Sequence, residues 1–164
     1  MRRPILTLTT DFGTSDYFVG AMKGVILGIA PSVRLVDVSH AVAPFNVNEA
    51  AFVLSEAWRY FPKRTIHVVV VDPGVGSERR PILVEAGGHF FVGPDNGVFS
   101  LVYGATKPKI RQITNTKLML PNVSRTFHGR DIFAPAAAHL ARKTPPASFG
   151  KQIRDFVHAP KINP

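Results

Sequence analysis

The chain has 164 residues, 45% of them hydrophobic and 19% charged, which suffices for one domain with its own core and argues against disorder. It contains no cysteine, so disulfides, thiolate metal sites and a cysteine nucleophile are excluded. The formal charge of +9 is dispersed from Arg2 to Lys151 with no basic stripe interleaved with aromatics, so no nucleic-acid partner is expected.

Pro4 to Thr10 reads as a first strand, ending in Thr9-Thr10-Asp11-Phe12-Gly13. The apolar stretch here is too short for a signal peptide, and no run in the chain is long enough to span a bilayer. A cytoplasmic protein without a membrane partner is the expectation. Phe18, Met22, Val25 and Ile29 recur at helical spacing before Pro31. Val33 to Val38 predicts a second strand. Val47, Ala51, Leu54, Trp58 and Phe61 form an apolar helix face that puts Trp58 in the core. The β-branched run from Ile66 predicts a buried third strand ending at Asp72, where Pro73-Gly74-Val75-Gly76 turns the chain. Ile82–Ala86 and Phe90–Val92 predict a hairpin across Gly87-Gly88, followed by a turn at Pro94-Asp95-Asn96-Gly97. Ile132 to Arg142 predicts a last helix.

Strands alternating with helices predict an α/β layered domain with a central, mainly parallel sheet, over residues 1–143. From Lys143 the chain is Pro-rich and polar, and residues 144–164 read as a linker or extended tail leading toward an absent further domain.

In an open α/β sheet, ligands sit at the carboxyl ends of the strands. Asp11, Asp72, Asp95-Asn96 and His128 are all delivered toward that rim. The Gly-rich loop can fold Arg79 back beside Asp72, and a fixed carboxylate–guanidinium unit can orient a third group such as His128. The competing reading of Asp72 is a turn cap, with Arg79 in solvent. Asp11 has two readings, bidentate acceptor for a sugar diol or cap of the next helix, a task Ser15 or Asp16 could also perform. His128 reads either as a structural histidine or as a proton-handling group near neutral pH. His40, His67, His89, His139 and His158 read as structural or exposed. Gly74-Val75-Gly76 lacks the spacing of a dinucleotide fingerprint, and no Walker lysine is present.

Four segments together carry a resemblance: Thr9–Gly13, Val71–Arg79, Gly93–Gly97 and Phe127–Asp131. From about Ile5 to Arg142 the chain resembles the N-terminal domain of the S-adenosylmethionine (SAM) hydroxide adenosyltransferases, adenosine-forming SAM hydrolases related to the fluorinases and chlorinases. The resemblance implies attack of water or hydroxide on ribose C5′ with methionine as leaving group, and neither metal nor cofactor. It implies Asp72, Arg79 and His128 as the water-activating triad and Asp11 as the ribose-holding carboxylate. It further places Asp16 at the methionine amino group, Phe45 beside the ribose, and Phe127 and Gly129 around C5′, with Asn96 on the same rim. Gly129 stands where the fluorinase has Ser, which implies a hydrolase and not a halogenase. The family's smaller β-rich second domain, and a homotrimer whose sites lie between subunits, are also implied. A chain ending at Pro164 is then expected to be an incomplete catalyst.

Two further readings compete: a non-catalytic SAM- or adenosine-binding domain, and a metal-dependent hydrolase built on Asp11, Asp72, His128 and Asp131. A proton-handling triad argues against the first, and the lack of a two-His spacing argues against the second.

Overall fold

The computed structural model describes residues 2–159. Six strands form one sheet in the order β2-β1-β3-β5-β4-β6. They are β1 (Ile5–Thr10), β2 (Arg34–Ser39), β3 (Ile66–Val70), β4 (Pro81–Ala86), β5 (His89–Pro94) and β6 (Lys109–Gln112). The helices are α1 (Phe18–Ile29), α2 (Val47–Ala57), α3 (Ser100–Tyr103) and α4 (Ala134–Ala141).

The β2-β1-β3-β5 side is parallel, whereas β4 runs antiparallel to both β5 and β6. The sheet is therefore mixed, parallel in three of its five pairings. The antiparallel part follows from the Gly87-Gly88 hairpin: both glycines have positive φ, 59° and 80°, as a turn matching the strand twist demands. The sequence reading did not include β6 or α3. Both are only four residues long and offer no period to detect.

Two apolar layers sandwich the sheet. Leu6, Leu8, Val68, Val70 and Val92 pack against α1 and α4, while Val69, Val71, Ile82, Val84 and Phe91 pack against α2, Trp58 and α3. Strand β3 is buried along its whole length, so its apolar run has no alternation. Trp58 is buried, as its helical phase predicts.

The connection from β1 through α1 runs over one face to β2, and that from β2 through α2 over the other face to β3. The loops leaving β1 and β2 consequently turn to opposite faces at the carboxyl ends of the strands. A crevice at such a switch point is where doubly wound sheets hold ligands.

The last helix begins earlier than the apolar pattern indicates. Gly129–Phe133 is a π-helical turn continuing into α4, and such turns are often found at functional sites. The C-terminal segment also departs from expectation. Phe149 is fully buried in the core, and residues 150–153 run antiparallel along β6, with Gln112 N donating to Lys151 O (3.0 Å) and Ile153 N to Ile110 O (2.8 Å). Arg80 and Asp95 pin the next residues through Asp155 and the Val157 amide. Pro-rich composition signalled an extended chain, and an extended chain is what an open sheet edge accepts. Pro160 and Pro164, cited for that reading, lie outside the described residues. Among the described residues no helix is long and apolar enough to cross a membrane.

Candidate active site

A pocket of about 330 Å³ opens at the switch point, lined by Asp11 and Phe12 after β1, Pro44 and Phe45 before α2, Asp72 and Val75 after β3, and Thr126–Gly129. Of the residues singled out from sequence, Asp11, Phe45, Asp72, Phe127, His128 and Gly129 thus share one cavity. Arg79 stands behind Asp72 and forms part of a second, adjoining cavity.

The Asp72–Arg79 unit is well defined. Arg79 Nε lies 3.0 Å from both Asp72 oxygens, Nη2 also donates to Oδ2, and both side chains are nearly buried. The same Nη2 reaches His128 Nδ1 at 2.7 Å. A guanidinium has donors only, so Nδ1 must accept and the neutral ring carries its proton on Nε2. Burial and then the Arg79 charge lower the His128 pKa below the ordinary histidine value. His128 is therefore held neutral with its Nε2–H as a donor.

Two loops meet to build this trio. Gly76 has φ +76°, and a Cβ there would strike the Arg125 carbonyl oxygen, so only glycine lets the Asp72 loop seat against the His128 loop. The second loop is braced by Asp131, fully buried, which accepts from Arg130 Nε (2.7 Å) and the Ser124 amide (2.8 Å). Those bonds, with desolvation opposing them, hold the Asp131 carboxyl below its usual range. Asp131 and Asp72 both already neutralise arginines, which removes two of the four ligands from the metal reading.

Asp11 does not cap α1. Its Oδ2 accepts from the Phe45 amide (2.7 Å). Burial is the main influence on its pKa and raises it, with the Asp72 charge adding to the rise and the Phe45 amide opposing it. Phe45 itself has φ +62°, uncommon for a residue with a side chain, and its ring is 61% exposed. The Asp11 bond accounts for how that conformation persists.

Two expectations fare differently. Asp16 is exposed, does not line the pocket, and accepts from the Tyr17 amide at 2.8 Å. Asn96 lines the neighbouring cavity, and its amide is committed, donating to Val71 O (3.0 Å) and accepting from Val98 N (3.1 Å). It therefore steadies the residue before Asp72 and does not reach into the pocket. Sequence reasoning missed Val75, Thr126 and the side chains of Phe12 and Phe18 as lining residues. Phe12, Phe18 and Phe127 form a cluster with centroids 5.1–5.9 Å apart, and only their positions in the motifs hinted at it. Gly129 packs closely: a Cβ there would stand 3.1 Å from Met22 Sδ and 3.4 Å from Val70 Cγ1.

Residues 6–150 match the family described as SAM hydroxide adenosyltransferase N-terminal domain. The chain is 43% identical over 153 residues to an (R)-S-adenosyl-L-methionine hydrolase of Salinispora tropica, an alignment covering 92% of this chain and 58% of that protein. It is 46% identical over 141 residues to the protein of the same name from Methanocaldococcus jannaschii, covering 83% and 52%. A fluorinase of an Actinoplanes species is more distant, at 27% identity over 178 residues, covering 93% and 59%. The crystal structure of an uncharacterized conserved protein from Thermotoga maritima superposes with a TM-score of 0.91 at 42% identity, covering 98% of this chain and 62% of that one. The chain thus spans a little over half the length of the relatives it matches. By its matched span and its likeness to these relatives, the chain belongs to the SAM hydroxide adenosyltransferase family and corresponds to its N-terminal domain.

Proposed function

We propose that this domain binds SAM at the switch-point pocket and directs water onto ribose C5′, releasing adenosine and methionine. The observation that carries the reading is that Asp72 and His128, joined from behind by Arg79, line one cavity with Asp11. The named hydrolase relatives at 43% and 46% identity support the substrate.

The chemistry suits the residues. A sulfonium is an activated leaving group, so the water oxygen forms the bond to C5′ while the C5′–S electron pair leaves on methionine sulfur. The water proton must depart. Asp72 is the adjacent carboxylate able to accept it, and the Nε2–H of His128 offers a donor to orient the water oxygen. Arg79 holds both groups and supplies fixed positive charge without losing a proton of its own. Asp11 lines the same cavity and is the acceptor for the ribose hydroxyls, its carboxylate held by the Phe45 amide. The reaction as written uses no metal or cofactor. Alignment and dehydration of the nucleophile are what the site contributes.

In this proposal Asp16 contacts the methionine amino group, a role for which its exposed place beside α1 leaves it available. A homotrimer with a site completed by a neighbouring subunit belongs to the same proposal. The exposed rings of Phe45 and Tyr17, 61% and 66%, support a further covering surface at the mouth.

The test is to incubate the protein with SAM in ¹⁸O-water, with and without chloride or fluoride. Adenosine labelled at its 5′ oxygen beside unlabelled methionine is expected. A 5′-halogenated nucleoside, or release of adenine, would overturn the reading.

A further inference from the structure

Asp11 has a support that the trio does not use. His40, its side chain 4% exposed, lies between β2 and α2, and its Nδ1 is 2.7 Å from Thr10 Oγ1. Its Nε2 is 2.9 Å from Asp37 Oδ1, and Asp37 Oδ2 accepts from Lys23 Nζ of α1 at 2.8 Å. The backbone takes part as well. The carbonyl of His40 accepts from the Gly13 amide (2.8 Å), and Thr10 Oγ1 accepts from the Phe12 amide (3.2 Å).

The polarity of these bonds is consistent along the line. Asp37, lowered in pKa chiefly by its bonds to Lys23 and His40 against desolvation, is an acceptor, so His40 Nε2 donates to it. Nδ1 then pairs with the Thr10 hydroxyl, whose oxygen also accepts from the Phe12 amide. His40 therefore grips residue 10 with its ring and residue 13 with its carbonyl. Asp11 is one of the two residues between those grips, and Phe12 is the other. The imidazole ties β2 to the end of β1, and Lys23 joins α1 to the same point through Asp37.

We propose that His40, braced by Asp37 and Lys23, is a positioning residue that fixes the Asp11 carboxylate for a ribose diol. The inference rests on the reading of Asp11 given above. The ring holds Thr10, next to Asp11, and the carbonyl of the same residue holds Gly13, so both bonds fix the short stretch that carries Asp11.

The experiment compares binding of adenosine and 2′,3′-dideoxyadenosine by calorimetry in wild type, His40→Ala, His40→Asn and Asp37→Asn. The wild type should prefer adenosine. His40→Ala should lose roughly tenfold in affinity for adenosine, the scale of one charge-assisted hydrogen bond, and little for the dideoxy ligand. His40→Asn, which keeps a polar atom near the Nδ1 position, should recover part of the loss. Asp37→Asn alters a half-exposed side chain, tolerable for folding, and should show a smaller loss in the same direction. Amide hydrogen exchange gives a readout without ligand: Gly13 and Phe45 should exchange faster in His40→Ala while β3 amides keep their protection. Equal loss for both ligands, or unchanged preference for adenosine in His40→Ala, would overturn the positioning role and leave the functional reading standing. A wild type indifferent to the diol would overturn the Asp11 reading, and this proposal with it.

Discussion

Arg79 Nη2 lies 2.7 Å from Nδ1 of His128, and a guanidinium can only donate to it. The bond stabilises the neutral imidazole, and a proton on Nδ1 would abolish it. Burial and the Arg79 charge both lower the His128 pKa, so the neutral form persists below the ordinary histidine range near 6.5. The limb on which kcat rises with pH is therefore expected on the acid side of 6.5, with a plateau through neutrality. Arg79→Ala removes the charge that helps lower the pKa and should move the limb toward higher pH. A pH–kcat profile of both proteins checks this, and a wild-type limb centred above 7 would contradict it.

Arg79→Lys should not rescue function. A lysine ammonium is a point charge and cannot reproduce the fork that spans Asp72 and His128 together. We expect kcat to fall by roughly 10²-fold with KM little altered, the scale of misplaced acid–base groups. Steady-state kinetics on SAM decide it.

Gly129→Ser brings a Cβ to 3.1 Å from Met22 Sδ, tighter than ordinary contact but against the flexible end of a methionine. A destabilisation of about 1 kcal/mol follows from such overpacking. In a Met22→Ala background the added cost of Gly129→Ser should shrink or change sign, because the obstructing sulfur is gone. Urea unfolding of the four proteins in the cycle measures it, and strict additivity would refute the contact as the cause.

Two histidines away from the pocket make stability sensitive to acid. His67 Nδ1 bonds Thr7 Oγ1 (2.8 Å), and its Nε2 faces His89 Nδ1 at 3.1 Å. Burial lowers the His67 pKa to about 3, and it also lowers that of His89. Between 6.5 and about 3 the unfolded chain binds protons that the folded one refuses, so stability is full above 6.5 and falls steadily as pH drops through that window. A Thr7→Val/His67→Phe double variant, which removes the titrating ring and its partner together, should show a flatter dependence. Chemical denaturation at pH 7, 5.5 and 4 tests the slope.

Phe149→Ala should cost roughly 3–5 kcal/mol, as for a large core side chain, because Phe149 is fully buried against the α4 layer. A thermal midpoint unchanged by that substitution would restore the view of this segment as an unpacked tail.

The strands and helices that carry the site were legible because each has an unambiguous signal. The β-branched run Val68–Val71 before the Pro73-Gly74 turn suits a doubly buried strand, and Phe18, Met22 and Ile29 mark α1 at its own period. The motifs likewise indicated which loops meet at the rim. What sequence did not convey was direction. Nothing in the order of residues distinguishes Asn96, whose amide turns inward to Val71, from a side chain reaching the pocket. Nor does composition separate a Pro-rich linker from a Pro-rich strand on an edge, since both are extended. The role of His40 was invisible because its partners Thr10, Asp37 and Lys23 lie on three separate elements.

Gly76 has no side chain, yet it governs how close the loops bearing Asp72 and His128 can come. In a survey of inactivating substitutions it should therefore score beside the reacting residues, although it contributes no chemical group. The two loops are bound to a common history through it: a change in the backbone around Arg125 is tolerated only if residue 76 can still approach. Grafting the Asp72–Arg79 segment into another sheet without its Arg125 seat would carry the charges across and leave the geometry behind.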